Sequence, residues 1–386
     1  MTTLTMPAVD SPRLMPVYPH LPFEPVAGEG VWLTTRDGRR LLDFYGGHAV
    51  ALLGYGHPRL LAALAEQAQT LFFQSNITPL AVRSRAAEAL AAFAPRHLSQ
   101  VFLVNSGAEA NENALRIALR KTGRSKVVAI EGAFHGRTAA AAAVTAGAGR
   151  WYGFPQMPFE VDFLPRNDEA AIDELVTEEV AAVIAEPVQG QAGAYVLDPG
   201  FLAALRDRTR LVGACLIFDE VQCGMGRTGE PFAAQLMGVT PDLLTVAKGL
   251  AGGFPAGAVL ARPEWLDFLA PGDLGTTFGG GPLACALIET VLAVIQEEGL
   301  LARVRRLSSR LKSECRVGPV VAVQGEGFLL GLRTSRPAKQ VVLELIERGV
   351  LAGGAADPHI VRLLPPLVLE DEHVDVLVDA LAGLRA

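Results

Sequence analysis

Residues 214–221 read ACLIFDEV and residues 243–249 read LLTVAKG. Each is a short apolar run closed by a charged residue, Asp219 (with Glu220 next to it) in the first and Lys248 in the second. Runs apolar on both faces are what strands in a helix-covered parallel sheet require. The same theme recurs outward from this pair, in VFLVN (101–105), KVVAI (126–130), AAVIAEP (181–187) and GAVLAR (257–262). Intervening segments such as 111–121 and 200–210 are long enough for crossover helices. The expected fold is therefore α/β and doubly wound, with a mostly parallel sheet. Ligands on such sheets bind beyond the carboxyl ends of the strands, where Asp219 and Lys248 stand. Strand parity puts Asp219 and Val221 on one face and Glu220 on the other.

Residues 286–386 follow another pattern, long amphipathic stretches around short strands such as IVRLLPP (360–366). Val374, Leu377, Leu381 and Leu384 recur at helical spacing, so a smaller α+β C-terminal domain is expected. The predicted division is an N-terminal segment 1–45 packing with the small domain, a large domain 46–285 and the small domain 286–386. Six prolines in the first 25 residues predict an extended arm, and the alanines at 139–143 predict a helix.

Composition narrows the functional classes. Half of the 386 residues are apolar, mean hydropathy is +0.29, and 34 basic against 41 acidic residues leave a net charge of −7. Disorder is excluded, and with no long basic run nucleic acid is not an expected partner. The longest stretch without Asp, Glu, Lys or Arg is 67–82, shorter than the roughly 20 apolar residues of a membrane span. Cys215, Cys223, Cys285 and Cys315 form no CxxC pair for zinc or dithiol chemistry, and suit buried thiols in a cytoplasmic protein. Of the 40 glycines, 13 fall in the 58 residues from Gly224 to Gly281, which places the excess in loops around Lys248.

Three features point to chemistry. Gly224-Met-Gly226-Arg-Thr-Gly229 matches G-x-G-x-x-G, the basis of an alternative reading as an NAD-dependent dehydrogenase. It begins five positions after the strand's acid, Asp219, and no acid-ended strand lies at the distance a ribose would need. Ser106 and Glu109 have capping-box spacing at a strand-to-helix turn. The free N–H groups of Gly107 and Ala108, with the Ser106 hydroxyl, could equally hold a phosphate. Lys248, between an apolar strand and glycines, suits a desolvated Schiff-base amine. A phosphate site, a carboxylate for a ring nitrogen and such a lysine together describe pyridoxal phosphate.

The runs NSGAEANENALR, AFHGRTAAA, EPVQG, IFDEVQCGMGRTG, AKGLAGGFPAGA and GTTFGGGPLA, in this order, resemble the class-III aminotransferases. The closest likeness is to the acetylornithine aminotransferase branch, which includes enzymes acting on carrier-bound aminoadipate semialdehyde. The resemblance runs from about Pro25 to the C-terminus. It implies a fold-type I transferase with pyridoxal 5′-phosphate bound to Lys248, which also shuttles the substrate proton. It implies that Asp219 keeps the pyridine nitrogen protonated, Val221 and Phe134 pack on the ring faces, and Gln222 bonds the phenolic oxygen. Ser106, Gly107 and Ala108 would hold the phosphate, completed by Thr277 from a second subunit of a homodimer.

For substrate, the resemblance assigns Arg137 to the carboxylate of an acylated ornithine-type donor and Arg362 to the α-carboxylate of glutamate and 2-oxoglutarate. Gln191 stands where the family usually has a glutamate that masks the second arginine, and Gly281 where it usually has asparagine. The expected reaction moves the ω-amino group of an N-acylated ornithine or lysine-type donor to 2-oxoglutarate, in arginine or lysine biosynthesis. An amino-group carrier protein is a possible partner. Other ω-amino acid transaminases of the family, acting on γ-aminobutyrate-like donors, are the alternative.

Overall fold

The computed structural model describes residues 13–385, so the first twelve residues of the expected arm lie outside the described residues. Its centre is a seven-stranded sheet in the spatial order Gln100–Val104, Gly257–Ala261, Leu243–Val246, Cys215–Asp219, Val180–Ala185, Lys126–Ile130, Glu160–Leu164. The four strands from Gly257–Ala261 to Val180–Ala185 are buried along their whole length. Helices Gly107–Thr122 and Pro199–Val212 pack against this sheet. Each ends on a glycine in the left-handed region, Gly123 at φ 70° and Gly213 at φ 70°, the usual stop for a helix.

Two details differ from the sequence reading. The strand Gly257–Ala261 runs antiparallel to both neighbours while the others run parallel. Only ten residues, 247–256, separate it from the preceding strand. That is fewer than a parallel crossover needs, and the segment spends them on a single turn of helix, Lys248–Ala251. The edge strand Glu160–Leu164 was not among the expected six. Its sequence, EVDFL, mixes acidic and apolar residues because the end strand is only partly covered: Glu160 is exposed, and half-buried Asp162 pairs with Lys126 (2.6 Å).

A second sheet joins Pro25–Glu29, Trp32–Thr35 and Arg40–Asp43 to Val350–Leu351 from near the C-terminus. A third, antiparallel sheet orders Val320–Glu326, Leu329–Thr334, Ile360–Leu363 and Gly353–Gly354. The expected alanine helix is Ala139–Ala143, and the last helix, Asp371–Ala382, buries Val374, Leu377 and Leu381. Among the described residues, no helix is long and apolar enough to cross a membrane.

Candidate active site

A cavity of about 390 Å³ opens beyond the carboxyl ends of the central strands, lined by Ser106, Gly107, Ala108, Phe134, Asp219, Val221, Gln222 and Lys248 among others. Eight of the twelve residues singled out from the sequence therefore meet in one place.

Asp219 closes its strand and is almost fully buried. Asn111 donates from Nδ2 (2.7 Å) and His135 Nδ1 lies 2.7 Å from the same oxygen, Oδ2, while the Val221 N–H donates to Oδ1 (3.0 Å). Asn111 is itself fixed, accepting from Thr245 Oγ1 (2.6 Å) and donating to the His135 carbonyl (2.8 Å). Oδ1 keeps acceptor capacity toward the cavity, as a carboxylate oxygen offers about two lone pairs. Asn111 and His135 were not singled out from sequence, although both stand inside the quoted runs; nothing in a linear pattern says that they converge on one carboxylate.

Lys248 begins the turn after its strand at φ 50°, a conformation rare for a residue with a side chain. Its amine makes no ion pair or hydrogen bond among the described residues. Burial pushes its pKa below the ordinary lysine value, and the carboxylates of Asp219 and Glu186 partly oppose that. Glu186, also buried, accepts the Phe134 N–H (2.8 Å), and burial with Asp219 nearby raises its pKa.

Ser106 caps helix Gly107–Thr122, its Oγ accepting the Glu109 N–H (3.2 Å). The Glu109 carboxylate takes the N–H of Asn105 (2.7 Å). Capping thus uses the N–H of Glu109 and leaves those of Gly107 and Ala108, first-turn groups with no partner inside the helix, at the positive end of its dipole. Glycine at 107 has a packing reason as well: a Cβ there would stand 2.8 Å from Val221 Cγ1.

Arg362 lies on strand Ile360–Leu363, buried and with no carboxylate at ion-pair distance among the described residues. Burial lowers its pKa from the ordinary arginine value. It donates to the carbonyls of Gly354 (2.6 Å) and Gly190 (3.3 Å) and to Gln222 Oε1 (3.4 Å). Gln222 thereby keeps its amide N–H groups for other acceptors. Gln191 is exposed on the turn Gly190–Gly193 and forms no hydrogen bond to Arg362. Arg137 is also exposed and sits 5.3 Å over the ring of Trp151, which in turn packs on Phe134 at 5.7 Å. Thr277 is exposed and does not line the cavity of its own chain.

The GMGRTG loop opens no crossover helix. Arg227 is buried and donates to the carbonyls of Pro365 and Ala49, and a Cβ on Gly226 would meet Leu301 and Leu367 at 3.0 Å. A pyrophosphate has no place in it. Gly281 is the N-cap of helix Pro282–Glu297 and gives it no side-chain bond. Its cost relative to asparagine is a few tenths of a kcal/mol, roughly.

A desolvated lysine, a buried carboxylate with a free lone pair and open helix N–H groups around one cavity define a transferase that works on amino groups with pyridoxal phosphate. Known proteins agree. The profile described as Aminotransferase class-III matches residues 16–384. The acetylornithine aminotransferase of Streptomyces coelicolor is 44% identical over 95% of this chain and 91% of its own. A solved ornithine aminotransferase of Toxoplasma gondii, described with partial occupancy of PLP at its active site, superposes with a TM-score of 0.89. It is 30% identical, over 97% of this chain and 92% of that one. The acetylornithine aminotransferase structure from Elizabethkingia anophelis gives a TM-score of 0.84 at 32% identity, over 95% and 96% of the two chains. This chain belongs to the class-III aminotransferases, and its cofactor is pyridoxal 5′-phosphate.

Proposed function

We propose that the enzyme transfers the ω-amino group of N-acetylornithine to 2-oxoglutarate, leaving a semialdehyde and glutamate, as a step of arginine biosynthesis. The observation that carries this reading is Arg362, a buried guanidinium without a carboxylate partner, one hydrogen bond from a residue of the Lys248 cavity. A buried unpaired cation calls for an anionic ligand. The names of the relatives favour acetylornithine as the donor.

The cavity fits the cofactor on its own terms. Open N–H groups at Gly107 and Ala108 with the Ser106 hydroxyl would take the phosphate, Oδ1 of Asp219 a ring N–H, and the Gln222 amide a phenolic oxygen. Phe134 and Val221 give the ring apolar walls. When bound, pyridoxal phosphate supplies the electron sink that makes the carbon bearing the substrate amine acidic. Lys248 moves the proton at that carbon; burial keeps a fraction of its amine neutral and able to accept it. Asp219, oriented by Asn111 and His135, holds the proton on the ring nitrogen. Arg137 takes the carboxylate of the acylated donor, and Arg362 that of the keto acid. Gln191, a neutral amide with no hydrogen bond to Arg362, provides no carboxylate to compete with a substrate for that cation.

The catalytic site is completed in a homodimer. Thr277 lies beside exposed Phe278, which packs on exposed Phe73 at 5.5 Å, and Asn76 donates to the carbonyls of Thr276 (3.0 Å) and Gly279 (2.9 Å). An apolar edge of this kind suits a second copy, whose phosphate site Thr277 would reach. The division into segments 1–45, 46–285 and 286–386 and a cytoplasmic location, consistent with four buried free thiols, belong to the same reading.

The test is donor profiling with purified enzyme. Each donor is mixed alone with holoenzyme, the visible band of the bound cofactor is followed, and Lys248→Ala serves as control. N-acetylornithine should discharge the band at a catalytic rate in wild type and not in the variant. Faster discharge by γ-aminobutyrate, or by a lysine precursor on a carrier protein, would reassign the donor.

A further inference from the structure

Four consecutive residues, Gly46, Gly47, His48 and Ala49, have φ of 54, 53, 65 and 69°. A left-handed turn that includes two residues with side chains is strained, and such strain persists where the surroundings over-determine it. Here they do. Asp43 Oδ1 accepts the N–H groups of Tyr45 (2.7 Å) and Gly46 (2.9 Å). A Cβ on Gly46 would stand 2.7 Å from the Leu364 carbonyl. Arg227, from the GMGRTG loop, ties the carbonyl of Ala49 to that of Pro365, just beyond the strand of Arg362.

What the turn presents is His48. Its Nδ1 lies 2.6 Å from the Tyr45 hydroxyl, with Nε2 farther at 3.3 Å. The same hydroxyl oxygen lies 3.5 Å from Arg362 Nη2. The direction of this chain is fixed by the donor inventory. Arginine only donates, so the Tyr45 oxygen accepts from it and gives its one proton to Nδ1 of His48. A neutral ring that accepts at Nδ1 carries its proton at Nε2. His48 stays exposed on this chain, and partial desolvation of its ring with the cations Arg362 and Lys248 lowers its pKa, in keeping with that neutral form.

Arg362 spends most of its donors on neutral acceptors: Nε on Gly354, Nη1 on Gly190 and Gln222, one Nη2 proton on Tyr45. One N–H remains, too few for the two-oxygen grip arginine normally gives a carboxylate.

We propose that His48 is a specificity-determining residue for the keto-acid half-reaction: its Nε2–H takes the second oxygen of the carboxylate whose first oxygen takes the remaining Arg362 N–H. This rests on the reading that Arg362 receives the α-carboxylate of glutamate and 2-oxoglutarate. The amino donor, which presents its ω end to Lys248, does not use it.

The test compares His48→Gly with His48→Asn. Glycine removes the ring without backbone penalty at φ 65°; asparagine tolerates the same backbone and keeps an N–H donor. Holoenzyme is reacted with N-acetylornithine alone, and the resulting amino form with 2-oxoglutarate alone. Glutarate, a dicarboxylate that cannot be transaminated, is titrated calorimetrically. His48→Gly should raise the KM for 2-oxoglutarate and the Kd for glutarate by about tenfold, the weight of one hydrogen bond to a charged group. The N-acetylornithine half-reaction should stay within about twofold of wild type, and His48→Asn should recover most of the loss. Equal losses in both half-reactions, or none in the keto-acid half, overturn the proposal. Arg362→Lys is measured in parallel. If it spares 2-oxoglutarate, the reading of Arg362 falls; if it impairs 2-oxoglutarate while His48→Gly does not, only the role of His48 falls.

Discussion

Glu220 follows Asp219 but points to the opposite face of the sheet, where its carboxyl is wholly buried. It accepts the N–H groups of Ala233 and Ala234, the latter at 2.7 Å, at the start of helix Ala233–Met237. Burial outweighs those two bonds and pushes its pKa from the ordinary 4.5 up to about 8. A carboxyl held more tightly protonated in the folded than in the unfolded chain contributes stability that is complete below about 4.5 and lost as the pH rises through about 8. At 1.36 kcal/mol per pH unit between those values, the loss is ~3 kcal/mol at pH 7 and ~5 kcal/mol by pH 9. Glu220→Gln keeps an oxygen for the two N–H groups and removes the titration. The variant should match wild type near pH 5 and exceed it by ~4 kcal/mol at pH 9. With an unfolding entropy of about 2.1 cal/mol/K per residue, that is roughly 5 °C in Tm. The assay is scanning calorimetry of both holoenzymes from pH 5 to pH 9 at two scan rates. A difference in Tm that stays flat with pH, or a variant that loses ground above pH 7, would refute the reasoning. The two N–H groups would then outweigh burial and keep the carboxylate ionised.

Gly107→Ala places a methyl 2.8 Å from Val221 Cγ1 and drives that side chain toward the cavity; cofactor affinity should fall about tenfold, read by fluorescence titration, with Tm of the apoprotein changed by less than ~2 °C. Gln191→Glu puts a carboxylate on the turn whose Gly190 carbonyl already accepts from Arg362; the ratio of α-amino to ω-amino donor reactivity should fall, and an unchanged ratio would remove this position from substrate choice. Arg206→Met breaks the buried pair with Asp242 (2.8 Å), leaving Arg262 at 3.6 Å as the remaining cation; a loss of ~3 kcal/mol is expected by chemical denaturation, with kcat of the folded fraction unchanged.

The central sheet could be read from the sequence because burial on both faces writes itself locally: Val180–Ala185 and Cys215–Asp219 are apolar at every position but the last of the second. The antiparallel direction of Gly257–Ala261 could not, since it depends on how ten residues are spent between two strands and not on the composition of either. The edge strand Glu160–Leu164 escaped for the complementary reason, being only partly covered, with Glu160 exposed and the next three residues half-buried. In the site, residues that touch the cavity from strand ends, Asp219 and Lys248, stood out because a charge in an apolar run is locally anomalous. Asn111 and His135 did not, because polar residues in a helix and a loop are ordinary until the fold aims both at one carboxylate.

Glycine at 107 shows how one residue can carry two constraints that sequence cannot separate. Its backbone N–H opens the helix end to an anion, which asks only that the helix begin there. The contact with Val221 asks for the missing Cβ, and that demand comes from a strand end more than a hundred residues away. The GMGRTG loop makes the converse case. Its spacing imitates a pyrophosphate cradle, yet the physics that keeps Gly226 and Gly229 at φ 84 and 89° is the packing of Leu301, Leu367 and Arg305 against them. The arginine between those glycines faces inward to two carbonyls of the segments that carry His48 and Arg362. A motif that imitates a nicotinamide cradle thus serves as a brace, tying the left-handed turn of His48 to the end of the strand that carries Arg362.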